Sequence, residues 1–132
     1  MIAVDTSVWV DYFNGQSTAH TEHLSAILGT TIIVVGDLVL TETLQGFKND
    51  KDFKIAKSLL EEFEHVSFTN PKLAIKSANN YRTLRKKGLT IRKTMDCLIA
   101  TYCVENKLPL LYSDKDFLPF EKHLKLKSAL PL

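Results

Sequence analysis

The apolar residues of this chain fall into short continuous runs, separated by longer stretches in which apolar positions recur with a helical period. Three runs, at residues 1–4, 31–35 and 108–112, consist almost entirely of apolar or β-branched residues. Such runs are typical of strands that are covered on both faces. Residues 65–68 form a further candidate strand, and residues 124–127 alternate as an edge strand does. Short strands that alternate with helices predict an α/β fold with a mostly parallel sheet.

The stretches between the strands contain the residues that start and stop helices. Asp37, Asp50, Asn70 and Thr94 each precede a periodic stretch, where their side chains can cap a helix. Helices are predicted over residues 7–13, 18–28, 38–47, 51–63, 71–87 and 95–107. The core-facing residues of the last two helices are expected to be Ile75, Ala78, Tyr81 and Leu84, and Met95, Leu98, Ile99 and Tyr102.

The composition is typical of a globular protein, because 45% of the 132 residues are hydrophobic and 24% are charged. This length predicts one domain over residues 1–132. The longest aliphatic run covers residues 32–35, far short of the ~20 residues that span a bilayer. Asp5 also interrupts the N-terminal segment where a signal peptide is apolar. We therefore expect a cytoplasmic protein without membrane contact.

The charges are unevenly distributed, although the net charge is only +2. Residues 1–64 carry ten acids and four bases, whereas residues 65–132 carry five acids and thirteen bases. No acid occurs from residue 65 to residue 95, so this stretch creates a positive potential that attracts nucleic acid backbone. A solvated helix face is the simpler interpretation of the same run. The bases considered for nucleic acid contact are Arg82, Arg85, Lys86, Arg92 and Lys93.

Four acids come from four separate segments that a parallel sheet would bring to one edge. Asp5 follows the first strand and Asp114 the last inner one, while Glu42 and Asp96 lie early in helices that start near the same edge. Each acid also has a structural interpretation, as a turn residue, a helix cap or a solvated side chain. Asp5 and Asp96, however, stand in apolar sequence, where an unpaired carboxylate is costly.

A divalent cation would remove the repulsion within such a cluster of acids. Mg²⁺ and Mn²⁺ prefer oxygen ligands, and a metal held by carboxylates can activate water against a phosphodiester. An acidic metal site beside a basic stretch is the arrangement expected of a nuclease.

The motifs that carry these acids resemble those of the PIN-domain ribonucleases, and most of all the VapC toxins of bacterial type II toxin–antitoxin systems. The matching segments are V-D-T-S-V-W at 4–9, T-E at 41–42, T-x-D-C-L-I-A at 94–100 and S-D-K-D-F at 113–117. The resemblance covers nearly the whole chain.

The resemblance implies a three-layer fold with helices on both faces of the sheet, and Mg²⁺- or Mn²⁺-dependent endoribonuclease activity. It implies a homodimer and a cognate VapB-like antitoxin, which the basic residues would meet if they do not guide RNA. Asp116 lies two residues from Asp114, and either can face the metal; Asp114 is preferred because it directly follows the strand. The metal-binding and catalytic acids implied are Asp5, Glu42, Asp96 and Asp114, with Thr6 and Ser7 as supporting hydroxyls.

Two other functions are compatible with parts of the sequence. A binding module for RNA or protein could keep this fold and cleft without activity, although the presence of all four acids argues against such decay. A phosphoryl-transfer or signalling domain would need other motifs. A phosphatase of that kind needs D-x-D-x-T after the first strand, where Asp5 is followed by Thr6 and Ser7, and a receiver domain needs a phosphoacceptor Asp at the end of a mid-chain strand, which residues 65–70 do not offer.

Overall fold

The computed structural model describes residues 1–131 and has a four-stranded parallel sheet at its centre. The strand order is β3-β2-β1-β4, with Ile2 of β1 opposite Ile33 of β2 and Ala3 opposite Leu110 of β4. The predicted parallel α/β fold is therefore confirmed. The strands are β1 (Ile2–Val4), β2 (Ile33–Gly36), β3 (Glu64–Val66) and β4 (Leu110–Leu111).

Seven α-helices connect and flank these strands. The connections from β1 to β2 and from β2 to β3 run in one direction across the sheet, and the connection from β3 to β4 runs in the other. Because such crossovers are right-handed, the first four helices cover one face and the next two cover the opposite face. The helices are α1 (Thr6–Phe13), α2 (Ala19–Ile27), α3 (Asp37–Gln45), α4 (Asp50–Leu60), α5 (Pro71–Lys86), α6 (Thr94–Glu105) and α7 (Leu118–Leu124), with a 3-10 turn at Lys115–Phe117.

All four residues of β2 are buried in the core. Gly36 ends this strand against the ring of Phe68, and a Cβ atom at Gly36 would lie only 2.2 Å from that ring. The next residue, Asp37, accepts a hydrogen bond of 2.9 Å from the Phe68 backbone N–H and another of 3.1 Å from the Ser67 hydroxyl. The packing of Gly36 and the hydrogen bonds of Asp37 thus hold the segment after β3 against the start of α3.

Within residues 1–131, no helix combines the length and the apolar character needed to cross a membrane.

The helix starts differ by one residue from three predicted caps. Asp37, Asp50 and Thr94 are the first residues of α3, α4 and α6, and the capping positions belong to Gly36, Asn49 and Lys93. Asn70 does cap α5, because its side chain accepts a hydrogen bond from the Leu73 backbone N–H.

The predicted buried stripe of α5 is wrong at two positions. Ile75 is 66% exposed and Ala78 is also exposed, while the buried residues are Ser77, Asn80 and Leu84. The reason is that α5 packs against α6 through polar contacts, since the Asn80 amide donates to the Thr101 hydroxyl over 3.0 Å. An apolar pattern alone does not detect such a face.

The buried face of α6 also differs from the prediction. Ile99 is fully buried, but Met95, Leu98 and Tyr102 are only half-buried. The other buried residues of the helix are Asp96, Cys97, Ala100, Thr101 and Cys103. The physical reason is that α5, α3 and the 3-10 turn all contact α6, so it is covered on more than one side.

The C-terminal edge strand expected at residues 124–127 is replaced by the end of a helix. Helix α7 continues to Leu124, and Lys125 then adopts a left-handed conformation with φ of 66°. The chain reaches the sheet only afterwards, through a single parallel bridge between Leu110 and Ser128. The alternation of apolar residues therefore reflects the packing of a short helix and one buried leucine, Leu126, rather than a strand.

Candidate active site

The four acids predicted to converge lie at one edge of the sheet, beyond the carboxyl ends of the strands. Asp96 and Asp114 belong to the group of described residues whose ligand atoms fall within 4.8 Å of one another, and Asp5 and Glu42 do not. Asp5 directly follows β1, Asp114 follows β4, Glu42 lies in α3 after β2, and Asp96 lies in the first turn of α6. Asp5, Asp114 and Glu42 are all close enough to raise the pKa of Asp96. Parallel strand direction explains this placement, because it directs β1, β2 and β4 to one edge of the sheet.

Asp5 combines a structural role with a place in this site. It is 3% exposed and caps α1, since its Oδ2 accepts hydrogen bonds of 3.1 Å from the Ser7 backbone N–H and 2.6 Å from the Ser7 hydroxyl. Burial raises the pKa of Asp5, the hydrogen bonds of Ser7 partly oppose this, and Glu42 adds a smaller increase. The Ser113 hydroxyl donates in turn to that of Ser7 over 3.2 Å.

The two hydroxyls at the start of α1 serve different acids. Ser7 donates to Asp5, whereas the Thr6 hydroxyl donates to Glu42 Oε1 over 2.9 Å. One helix turn therefore orients a carboxylate that follows β1 and another that lies in α3. Both hydroxyls were predicted from the sequence, but this division was not. The role of Ser113 was also missed, although it stands between the last predicted strand and Asp114.

Asp96 is the acid whose environment is least compatible with a structural role. It is 4% exposed, and among residues 1–131 no hydrogen-bond donor reaches its Oδ2 atom. Its pKa is raised to about 7, mainly by burial and then by the negative charge of Asp5, while Lys93 partly opposes the increase. A buried carboxylate oxygen without a partner is costly unless a cation balances it. This orphaned oxygen fits a bound divalent cation.

Asp114 and Asp116 both lie near Asp96. One ligand atom from each of the three residues falls within 4.8 Å of the others, so this group can hold a metal ion. The two neighbours differ in their partners: Arg92 donates to both carboxylate oxygens of Asp116 at 3.2 Å, whereas Lys93 lies 3.9 Å from Asp114. Asp116 is thus occupied by a bidentate ion pair. Asp114 keeps Oδ2 for a metal, because its Oδ1 accepts a hydrogen bond of 2.9 Å from the Asp116 backbone N–H and caps the 3-10 turn.

The basic residues singled out in the sequence fall into two groups. Arg92 and Lys93 lie at the acidic site, in the segment that leads into α6. Arg82 and Arg85 line a groove between α5 and α6, and Lys86 is exposed at the end of α5. Ion pairs between distant exposed residues have no sequence signal, which is why the contact of Arg92 with Asp116 was not expected.

Comparison with known proteins agrees with this geometry. The family model of the PIN domain matches residues 2–122. The chain is similar to Ribonuclease VapC11 of Mycobacterium tuberculosis, with 25% identity over 131 residues that cover 98% of each protein.

Solved structures with the same fold come from two further bacteria. The structure of VapBC2 from Rickettsia felis, bound to a DNA fragment from their promoter, has a chain that aligns with a TM-score of 0.73 and 21% identity, covering 97% of both chains. FitAcB from Neisseria gonorrhoeae aligns with a TM-score of 0.74 and 18% identity, covering 97% of this chain and 96% of the other. Both likenesses support the three-layer arrangement of helices and sheet.

Proposed function

Because the chain belongs to the PIN domain family, we propose that it is a metal-dependent endoribonuclease and the toxin of a toxin–antitoxin pair. The similarity to a VapC ribonuclease over almost the full length of both proteins supports this function. The observation that carries it is the buried Asp96, which lies among acids and has an orphaned carboxylate oxygen. A role in folding alone does not account for the free-energy cost of burying this oxygen without a partner.

The residues proposed to hold the cation are Asp5, Glu42, Asp96 and Asp114. All offer carboxylate oxygens, which suits Mg²⁺ or Mn²⁺. When bound, such a cation would supply an activated water and stabilise negative charge on the phosphodiester. Thr6 and Ser7 keep Glu42 and Asp5 in place through their hydrogen bonds. Asp116 remains an alternative ligand, although its bond to Arg92 favours a positioning role.

Basic side chains are proposed to bring the RNA backbone to the acids. Lys93 and Arg92 stand beside the acidic cluster, where they offset part of its repulsion toward phosphate. Arg82, Arg85 and Lys86 extend the positive surface along α5. RNA that follows this surface would reach the acids at the first turn of α6.

The partners proposed for this chain follow from its structural neighbours. Those from Rickettsia felis and Salmonella typhimurium are VapBC complexes bound to DNA, which supports a VapB-like antitoxin as the protein partner here. A homodimer and a cytoplasmic location belong to the same proposal, as does a single nuclease domain over residues 1–132.

The proposed activity is tested by cleavage of RNA in the presence and absence of metal. Chelation should abolish cleavage by the parent protein, and added Mg²⁺ or Mn²⁺ should restore it. Asp96→Asn should lose nearly all cleavage, whereas Asp50→Asn should retain it, because Asp50 is an exposed acid in the first turn of α4. Full cleavage in excess chelator, or by Asp96→Asn, would refute the mechanism. A folded parent that binds metal but does not cut RNA would instead indicate an inactive binding module.

A further inference from the structure

A groove of about 490 Å³ lies between α5 and α6, outside the acidic site. Its floor is apolar, and its rim carries positive charge. It lies beside the active site at the first turn of α6: Thr94 lines the groove, whereas Asp96, two residues on, points about 200° away around the helix axis and belongs to the acids. The residues that define the groove are Ala74, Ala78, Tyr81, Arg82, Arg85 and Leu98.

The charges on the rim are not neutralised by neighbouring acids. In the part of the chain that the structure describes, neither Arg82 nor Arg85 has an acidic oxygen within 4.0 Å. The Arg85 guanidinium lies 5.6 Å from the centre of the Tyr81 ring, so a cation–π contact holds it at the groove. An arginine fixed in this way is prepared for an anion that enters from solvent.

We propose that this groove binds the base of an unpaired nucleotide of the RNA substrate, while Arg82 and Arg85 contact the flanking phosphates. The inference rests on the proposed ribonuclease function and extends it to the form of the substrate. Bases in single-stranded RNA stack on aromatic rings and guanidinium planes, both of which the groove offers. The small side chains of Ala74 and Ala78 leave room for a flat ring. A base in double-stranded RNA stays paired and stacked within the duplex, so it cannot enter the groove.

The combination of charges favours RNA over a protein occupant. A second copy of this chain, or an apolar helix of a partner, would cover the floor but leave two arginines without counter-charge. A nucleotide satisfies both, because it carries a base and a phosphate together. The groove and Asp96 lie on different sides of the first turn of α6, so a strand held in the groove would pass around this helix end to reach the acids. The enzyme would therefore select unpaired RNA near the cleavage position.

The test compares the binding of single-stranded and double-stranded RNA. All proteins carry Asp96→Asn to prevent cleavage, and the probe is a short random-sequence RNA, used either alone or annealed to its complement. Fluorescence anisotropy should show about tenfold tighter binding of the single strand, the effect of stacking roughly one base. Ala78→Phe fills the groove and should abolish that preference. Ala26→Phe, at an exposed alanine of α2, should leave it unchanged.

Two further variants separate the floor of the groove from its rim. Tyr81→Phe should keep the preference for single strands, and Tyr81→Leu should weaken it severalfold. Replacing both arginines with glutamine should weaken binding of both RNA forms and reduce the salt dependence of binding. Thermal melting would establish that each variant is folded.

Several results would overturn the subsite. Equal binding of single-stranded and double-stranded RNA by Asp96→Asn with an intact groove would contradict it. An unchanged preference for single-stranded RNA in folded Ala78→Phe would also contradict it. A change from dimer to monomer in Ala78→Phe without any change in RNA binding would assign the groove to a second copy. RNA cleavage is measured separately with the protein that keeps Asp96. If this protein cleaves RNA and Ala78→Phe leaves the preference for single strands unchanged, only the subsite is refuted. If this protein does not cleave RNA, the proposed function is refuted together with the subsite.

Discussion

The burial of Asp96 leads to an unusual expectation, that removing its charge stabilises the metal-free protein. Its pKa is raised from 3.8 to about 7, first by burial and then by Asp5. The folded protein therefore holds a proton at Asp96 that the unfolded chain has already released between about pH 4 and pH 7. Stability falls wherever the folded state binds more protons, so in chelator this residue should lower the free energy of unfolding as pH rises through that window.

The size of the effect follows from the difference between the two pKa values. At 1.36 kcal/mol for each pKa unit, it has an upper limit of about 4 kcal/mol above pH 7. Water and salt reach the edge of the site and reduce this figure, so we expect Asp96→Asn to gain about 1–2 kcal/mol at pH 8. For a domain of this size, that gain corresponds to a rise in melting temperature of about 4–8 °C.

The measurement is thermal or urea unfolding of the parent and Asp96→Asn in chelator at pH 5 and pH 8. The stabilisation should be present at pH 8 and largely absent at pH 5, where the parent carboxyl is protonated. Adding Mg²⁺ should stabilise the parent more than the variant, because binding to the folded state raises its stability. Asp50→Asn serves as control and should lose only about 0.3–1 kcal/mol, the contribution of an exposed first-turn acid. An Asp96→Asn protein less stable than the parent at pH 8 in chelator would refute the reasoning.

Four other substitutions test the site and its support. Gly36→Ala should cost about 1–3 kcal/mol of unfolding free energy, measured by melting, because its Cβ would overlap an aromatic ring; an unchanged melting temperature would contradict the close packing. Thr6→Val should slow RNA cleavage about tenfold with little change in melting, since it removes the hydrogen bond to Glu42; parental activity would show that this bond is dispensable. Asp114→Asn should cost far more activity than Asp116→Asn in the same cleavage assay, and equal losses would show that both acids contact the metal.

The sheet and the position of the site could be predicted because both depend on local pattern and strand direction. The β-branched run before Gly36 has few alternatives to a buried strand. Acids that follow parallel strands must share an edge, which brings Asp5 and Asp114 into one site. The closing helix α7 was missed because it has only seven residues, includes Pro119 and ends at Leu124, where the alternating apolar pattern of residues 124–127 begins. At that length, strand and helix periodicity cannot be distinguished.

Other features were not predictable because they depend on which surfaces meet in three dimensions. The inward face of α5 carries Ser77 and Asn80, since α6 offers Thr101 and Cys97 as hydrogen-bonding partners there. The adjacent hydroxyls of Thr6 and Ser7 look equivalent in the sequence, and only the packing of α1 against α3 gives one of them to Glu42. The chemical groups of the candidate site could therefore be proposed from the sequence, but the hydrogen bonds between them could not.

Asp5 both caps a helix and belongs to the candidate site, and this affects how its conservation during evolution can be interpreted. Its carboxylate caps α1, so natural selection for a folded protein preserves this residue even after catalysis has been lost. We expect no comparable benefit from Asp96, because its buried oxygen lacks a partner among the described residues and its raised pKa predicts a less stable metal-free fold above pH 7. In a lineage that abandons RNA cleavage, mutations at Asp96 should accumulate before mutations at Asp5. An aspartate at the position of Asp96 is therefore the better sign of a working enzyme among homologous chains.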